Sequence, residues 1–192
     1  MQLKYAIEII NMKPTARLKD EHHDIKLMLQ ILDKICTKIE HGEKVKKAHL
    51  ESIMEYFSAF VGECHLAKEE DMLFPAMEKA GVPKGGGPIG DLRVVHTIAR
   101  SYISVMNEAV LKYPADVSNA KTFTQNAREY IELLKAHIDT EDMLFPLAEN
   151  YISEEGKKNL AEEFKQFERT RIGSGKQTKF NKLLNRMKTT YL

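Results

Sequence analysis

A chain of 192 residues, 43% hydrophobic and 30% charged, can bury a core of its own without disulfide staples, and 29 Lys plus Arg against 28 Asp plus Glu leave no basic footprint for nucleic acid and no acidic tail. Two cysteines, Cys36 and Cys64, read as reduced thiols, and no stretch approaches the roughly 18 uninterrupted apolar residues of a membrane span. The opening MQLKYAIEIINMK is not a secretory signal, because Glu8 interrupts its apolar stretch and no small-residue cleavage site follows, so the expected location is cytoplasmic.

Residues 1–13 form an N-terminal extension. Its alternating Leu3, Tyr5, Ile7 and Ile9 suit a short strand or a disordered segment, and Met12 is an alternative start. The pattern then becomes helical. Leu18, Ile25, Met28, Leu29, Leu32 and Ile35 form an apolar stripe on a first helix that ends near His41-Gly42. A second helix spans about 45–80, with a kink or break expected at Pro75. GVPKGGGPIG at 81–90 stops it and serves as a flexible connector without a phosphate-loop pattern. A third helix covers about 91–112, Pro114 and Asp116 mark a turn, and a fourth covers about 118–151 with Pro146 placed as Pro75 is. Ser153 is a natural N-cap for a fifth helix over about 154–171, GSG at 173–175 ends it, and a sixth runs to about residue 190. The expected class is all-α: an antiparallel up-down four-helix bundle over 14–152, with two additional C-terminal helices over 153–192 packed outside it.

The chain repeats itself. HLAKEEDMLFP at 65–75 returns as HIDTEDMLFP at 137–146, which makes helices one and two a copy of helices three and four. His65 and Glu69 stand four apart, as do His137 and Glu141, so each pair shares one helix face and can reach one ion or two adjacent ions. Each preceding helix adds an imidazole at His22 or His96, with His23 as the alternative to His22. Two carboxylates and four imidazoles form a mixed nitrogen and oxygen set that suits iron, zinc, copper or nickel, and metal cations would neutralise carboxylates that are otherwise costly to bury. No cysteine is required, which argues against a structural zinc site. The first copy holds one extra residue between His and DMLFP. Glu70 is therefore the second choice to Glu69, and a π-bulge would absorb the insertion.

With EHHDI at 21–25, CHLAKEEDMLFP at 64–75, VHTIAR at 95–100 and HIDTEDMLFP at 137–146, the sequence resembles the hemerythrin-like, or HHE cation-binding, family over about residues 14–150. The resemblance implies a non-haem centre of two iron ions, bridged by oxo, hydroxo or water. Glu69 and Glu141 would span the irons, and His22, His65, His96 and His137 would cap them. It also implies a small diatomic ligand or peroxide as partner, with oxygen binding or sensing, iron handling, or a response to nitric oxide or oxidative stress as the role. A protein redox partner is compatible with it, as are an iron store or donor and a metal-dependent interaction module. One departure stands out. Oxygen carriers of the family have a further His one turn after the third-helix ligand, where this chain has Arg100, a side chain without a lone pair to offer. That implies a coordination position that is open or filled by water or another side chain, and Arg100 is expected to pair with a carboxylate near the site. Tyr130 reads as core, as do Met72, Leu73, Phe74, Met143, Leu144 and Phe145. His41 and His49 read as surface, and Cys64 as turned off the ligand face.

Overall fold

The computed structural model describes residues 13–113, 117–173 and 176–192. Every regular element among them is helical, so the protein is all-α, and no helix there is long and apolar enough to cross a membrane. The possible N-terminal strand and the Pro114–Asp116 turn lie outside the described residues, as does most of the GSG stop.

Helix α1, Pro14–Glu40, starts on a proline, whose missing amide hydrogen costs nothing in the first turn. It ends where Gly42, at φ 76°, takes the left-handed position, with Gly42 N donating to Ile39 O at 3.0 Å and Glu43 N to Lys38 O at 2.9 Å. The second helix, α2, is the continuous run 47–79, and its winding changes along the way. Lys47–Glu55 is α-helical, Tyr56–His65 is π-helical, Leu66–Lys68 is α-helical, Glu69–Leu73 is again π-helical, and Phe74–Lys79 returns to α. Pro75 follows directly on the second π stretch, where the ordinary hydrogen-bond register is already interrupted. Helix α3 is Pro88–Lys112, three residues earlier than the sequence pattern marks, because Pro88 supplies a preformed first turn. Helix α4, Val117–Tyr151, is one continuous helix through Pro146, so of the kink or break suggested there a break is absent. Ser153 caps α5, Glu154–Phe167, by accepting from Gly156 N at 3.1 Å. The helix continues as a π turn over Glu168–Ile172 up to Gly173. Lys176–Tyr191 is α6.

Helix α4 packs along both α3 and α1, and α2 packs on α3 and, through its first π stretch, on α1. Helix α5 lies on α1 and on the second π stretch of α2, and α6 lies on α1. The buried apolar side chains fall into two separate clusters. One is built around Ile25, Phe57, Phe60, Ile103, Tyr130 and Ile138, and the other around Leu18, Leu73, Phe74, Leu92, Phe145 and Phe164. On each of α1 to α4 the change from one cluster to the other falls where the sequence places its His and Glu candidates. The DMLFP copies are less alike in burial than in sequence. Leu73, Phe74 and Phe145 are buried and Met72 and Leu144 half-buried, whereas Met143, expected in the core, is 74% exposed.

Phe180 of α6 is buried with its ring 5.7 Å from that of Tyr56 and 5.6 Å from that of Phe60, so α6 belongs to the larger core. Phe180→Ala is expected to lower unfolding stability by about 3–5 kcal/mol in a single cooperative transition followed by circular dichroism in urea. An unchanged midpoint would show that α6 melts separately.

Candidate metal centre

The polar layer between the two clusters contains all six residues singled out by spacing. His22, His65, Glu69, His96, His137 and Glu141 are each 3% exposed or less. They form two groups: His22, His65, Glu69 and Glu141, and Glu69, His96, His137 and Glu141. In each group one ligating atom per residue lies within 4.8 Å of all the others. Both carboxylates belong to both groups. Glu141 lies 3.2 Å from His22 Nε2 and 2.9 Å from His137 Nε2, while Glu69 lies 3.6 Å from His65 Nε2 and 3.5 Å from His96 Nε2. His23 points outward, and His41 is exposed. His49, expected at the surface, is half-buried, with Nδ1 2.7 Å from the Tyr191 hydroxyl.

Glu69 rather than Glu70 enters the layer. Glu70 is turned to the next helix, where it accepts from His96 Nδ1 at 2.7 Å and takes both arms of the Arg100 guanidinium, at 2.8 and 2.9 Å. Arg100 thus pairs with a carboxylate near the site, as its position suggested, and it is directed at Glu70 rather than at the six.

Two further backings of the same design were not apparent from spacing. His65 Nδ1 donates to Glu21 at 2.8 Å, and Glu21 is in turn paired with the Lys68 ammonium. His22 Nδ1 donates to Asp142 at 3.0 Å, and Lys26 lies 3.6 Å from Asp142. Three of the four imidazoles therefore spend their Nδ1 proton on a carboxylate that has its own cation. This fixes the ring and directs Nε2 into the layer. His137 is the exception, with no partner at Nδ1. The sequence did carry a signal for the three: Glu21, Glu70 and Asp142 each adjoin a member of the six, and a neighbour on a helix is rotated by about 100°, toward the adjacent helix.

The electrostatics suit a cation. His22 Nε2, His65 Nε2 and all four carboxylate oxygens of Glu69 and Glu141 are buried without a hydrogen bond, which no protein tolerates cheaply. Burial and the neighbouring Glu141 charge push Glu69 well above the usual carboxylate range. Burial would raise Glu141 as well, but the His137, His22 and His96 rings hold it well below that range. A cation between the two carboxylates would answer the charge that raises Glu69. Burial, opposed by the Glu21 hydrogen bond, lowers His65 to about 4, so its ring is neutral, the form that ligates. Despite burial, Lys68 and His65 hold Glu21 at about 2. Glu70, also against burial, is held at about 2 by His96 and Arg100. The donor set, the lone-pair directions and the charge deficit all fit metal ions.

The remaining candidates take no part. Tyr130 is fully buried with its ring 5.1 Å from that of Phe57, and its hydroxyl has no partner. Cys36 and Cys64 are free and buried, and burial pushes each thiol up to about 12.

A model of the hemerythrin HHE cation-binding domain matches residues 13–148. Neither a curated protein nor a solved structure matches the chain.

Glu70→Gln keeps the shape of the acceptor at His96 Nδ1 but removes its charge. The variant is expected to bind a divalent metal about tenfold or more weakly in chelator competition, with its helix content intact. Glu63→Gln, an exposed change on the same helix, should bind as the wild type does. Equal affinities for all three would show that Glu70 does not support the site.

Proposed function

The chain belongs to the hemerythrin HHE cation-binding domain family, and from that premise we propose that it is a non-haem di-iron protein that binds, senses or reacts with dioxygen, peroxide or nitric oxide. In this reading α1 to α4 are an antiparallel up-down bundle. His22 and His65 hold one ion, His96 and His137 hold the other, and Glu69 and Glu141 span both. The observation that carries it is the sharing of the two carboxylates. They belong to both four-residue groups, and their four oxygens are buried without other partners.

The count of donors explains why a small ligand is expected. Each four-residue group would offer an ion two imidazole nitrogens and two carboxylates, fewer donors than the six positions that iron commonly fills. Arg100 is committed to Glu70 and adds no donor. Bound iron would supply redox electrons and an open coordination position. The chain's own part is to fix the imidazoles through Glu21, Glu70 and Asp142, and to exclude bulk water with the apolar clusters on either side.

Two measurements test this. Metal analysis of the purified protein is expected to give two irons per chain, with a visible charge-transfer band that depends on oxygen and disappears on reduction. A colourless zinc protein would overturn the reading. Metal removal is also expected to lower the melting temperature by roughly 5–10 °C with most helix retained, since ions bound only to the folded state stabilise it by mass action. In a Glu69→Ala, Glu141→Ala double variant the same treatment should cause a smaller drop, because that variant binds metal weakly from the start.

A further inference from the structure

The three carboxylate backings differ in one respect. The Lys26 and Arg100 side chains are each 40% exposed, whereas that of Lys68 is 0% exposed. Two groups from beyond the matched domain seal Lys68 in. Glu168, in the π turn that extends α5, accepts from Lys68 Nζ at 2.9 Å, and the Phe164 ring of α5 lies 5.5 Å from the same ammonium. Glu168 is itself fixed by Arg17 of α1, whose Nε donates at 2.8 Å while Nη2 makes a second contact. The result is an unbroken chain of alternating charge, Arg17, Glu168, Lys68, Glu21, ending on His65 Nδ1.

From this connectivity we propose that the C-terminal segment is a positioning element of the metal centre, with Glu168 orienting the His65 imidazole through Lys68 and Glu21. The inference rests on the reading of the six residues as ligands, and it adds that residues outside the family domain control one half of the set. The physical reason is simple. A buried ammonium must have its charge met, and with Glu168 neutralised Lys68 has only Glu21 to turn to. Glu21 then shifts toward Lys68, and its hold on His65 Nδ1 loosens. The other half of the site rests on Glu70 and Arg100 and is not touched. Coupling of this kind is reciprocal: if the segment favours metal binding, metal binding favours the docked segment.

The test uses the full-length chain with Glu168→Gln, an isosteric change, and Glu163→Gln as an exposed control on the same helix. In the metal-free protein, ¹⁵N NMR of labelled histidine reads the tautomer of His65. The wild type and Glu163→Gln are expected to hold the proton on Nδ1, and Glu168→Gln to show a mixture. Titration with cobalt(II), followed by its visible absorption, is expected to give two steps. One step should be weakened about tenfold in Glu168→Gln and the other unchanged. In the wild type, amide hydrogen exchange over 160–172 should slow when cobalt(II) is added. An unchanged His65 tautomer overturns the proposal whatever the protein binds. So do equal weakening of both steps, which marks a general loss of structure, and exchange rates that ignore the metal. A wild type that binds no cobalt(II) sinks the metal-centre reading instead, and the tautomer measurement still decides whether Glu168 positions His65.

Discussion

The constraint on which everything else turns is the burial of two carboxylates against each other. Glu69 and Glu141 are no more than 1% exposed, and none of their oxygens has a hydrogen bond. Isolated charges in such a place would cost far more than a domain's net stability of about 5–15 kcal/mol. The fold has to supply compensation from every side, and it does so by layering. Two apolar clusters hold the layer closed above and below. The four imidazoles occupy its interior, and the formal charges that answer one another stand one residue further out. The apolar packing stabilises the helices, and the polar layer sets their register. Sliding any of α1 to α4 by one turn would move its His or Glu into an apolar cluster and an apolar side chain into the layer.

The outer ring of carboxylates follows from helix geometry. Each one adjoins a residue of the layer on its own helix and serves the imidazole of a neighbouring helix. Glu21 on α1 serves His65 on α2, Glu70 on α2 serves His96 on α3, and Asp142 on α4 serves His22 on α1. In α2 this needs the π winding. Fitting both Glu69 into the layer and Phe74 into the lower cluster, nine residues after His65 rather than the eight that separate Phe145 from His137, requires one extra residue per turn over Glu69–Leu73. The same device turns Glu70 onto His96 and within reach of Arg100.

This divides what could be read in the sequence from what could not. The six residues of the layer were legible because a four-residue spacing repeated in two related halves places them on one face without knowledge of the helix packing. The helices themselves were legible from apolar periodicity and from caps such as Ser153 and Gly42. The backing carboxylates were legible only as acidic neighbours of the six, because their partners lie 26, 44 and 120 positions away in the chain, and only the packing order of the helices brings them together. Nothing local singles out Lys68, because Glu168 reaches it from one hundred positions downstream. At Pro146 the local rule allows a kink or a break, and α4, packed against both α1 and α3, runs on as one helix.

The ring is also incomplete, and its gap gives the centre a direction. Following the same rule, the carboxylate for His137 on α4 should adjoin His96 on α3, but the residues there are Val95 and Thr97, and the Thr97 hydroxyl is spent on Arg93 O at 3.1 Å. His137 Nδ1 is accordingly without a partner. One group of the layer thus has both imidazoles backed by carboxylates, one of them through a wholly buried lysine. The other group has one backed imidazole, supported by a half-exposed arginine, and one held only from within the layer, with His137 Nε2 3.1 Å from His96 Nε2 and 2.9 Å from Glu141. A carboxylate behind an imidazole raises its basicity and restrains its ring, so ions seated in the two groups would not be equivalent. On the His22 and His65 side both rings are held from outside the layer, by Asp142 and Glu21. On the His96 and His137 side only the His96 ring is held in this way, by Glu70. That asymmetry follows from the single absence of an acidic neighbour beside His96.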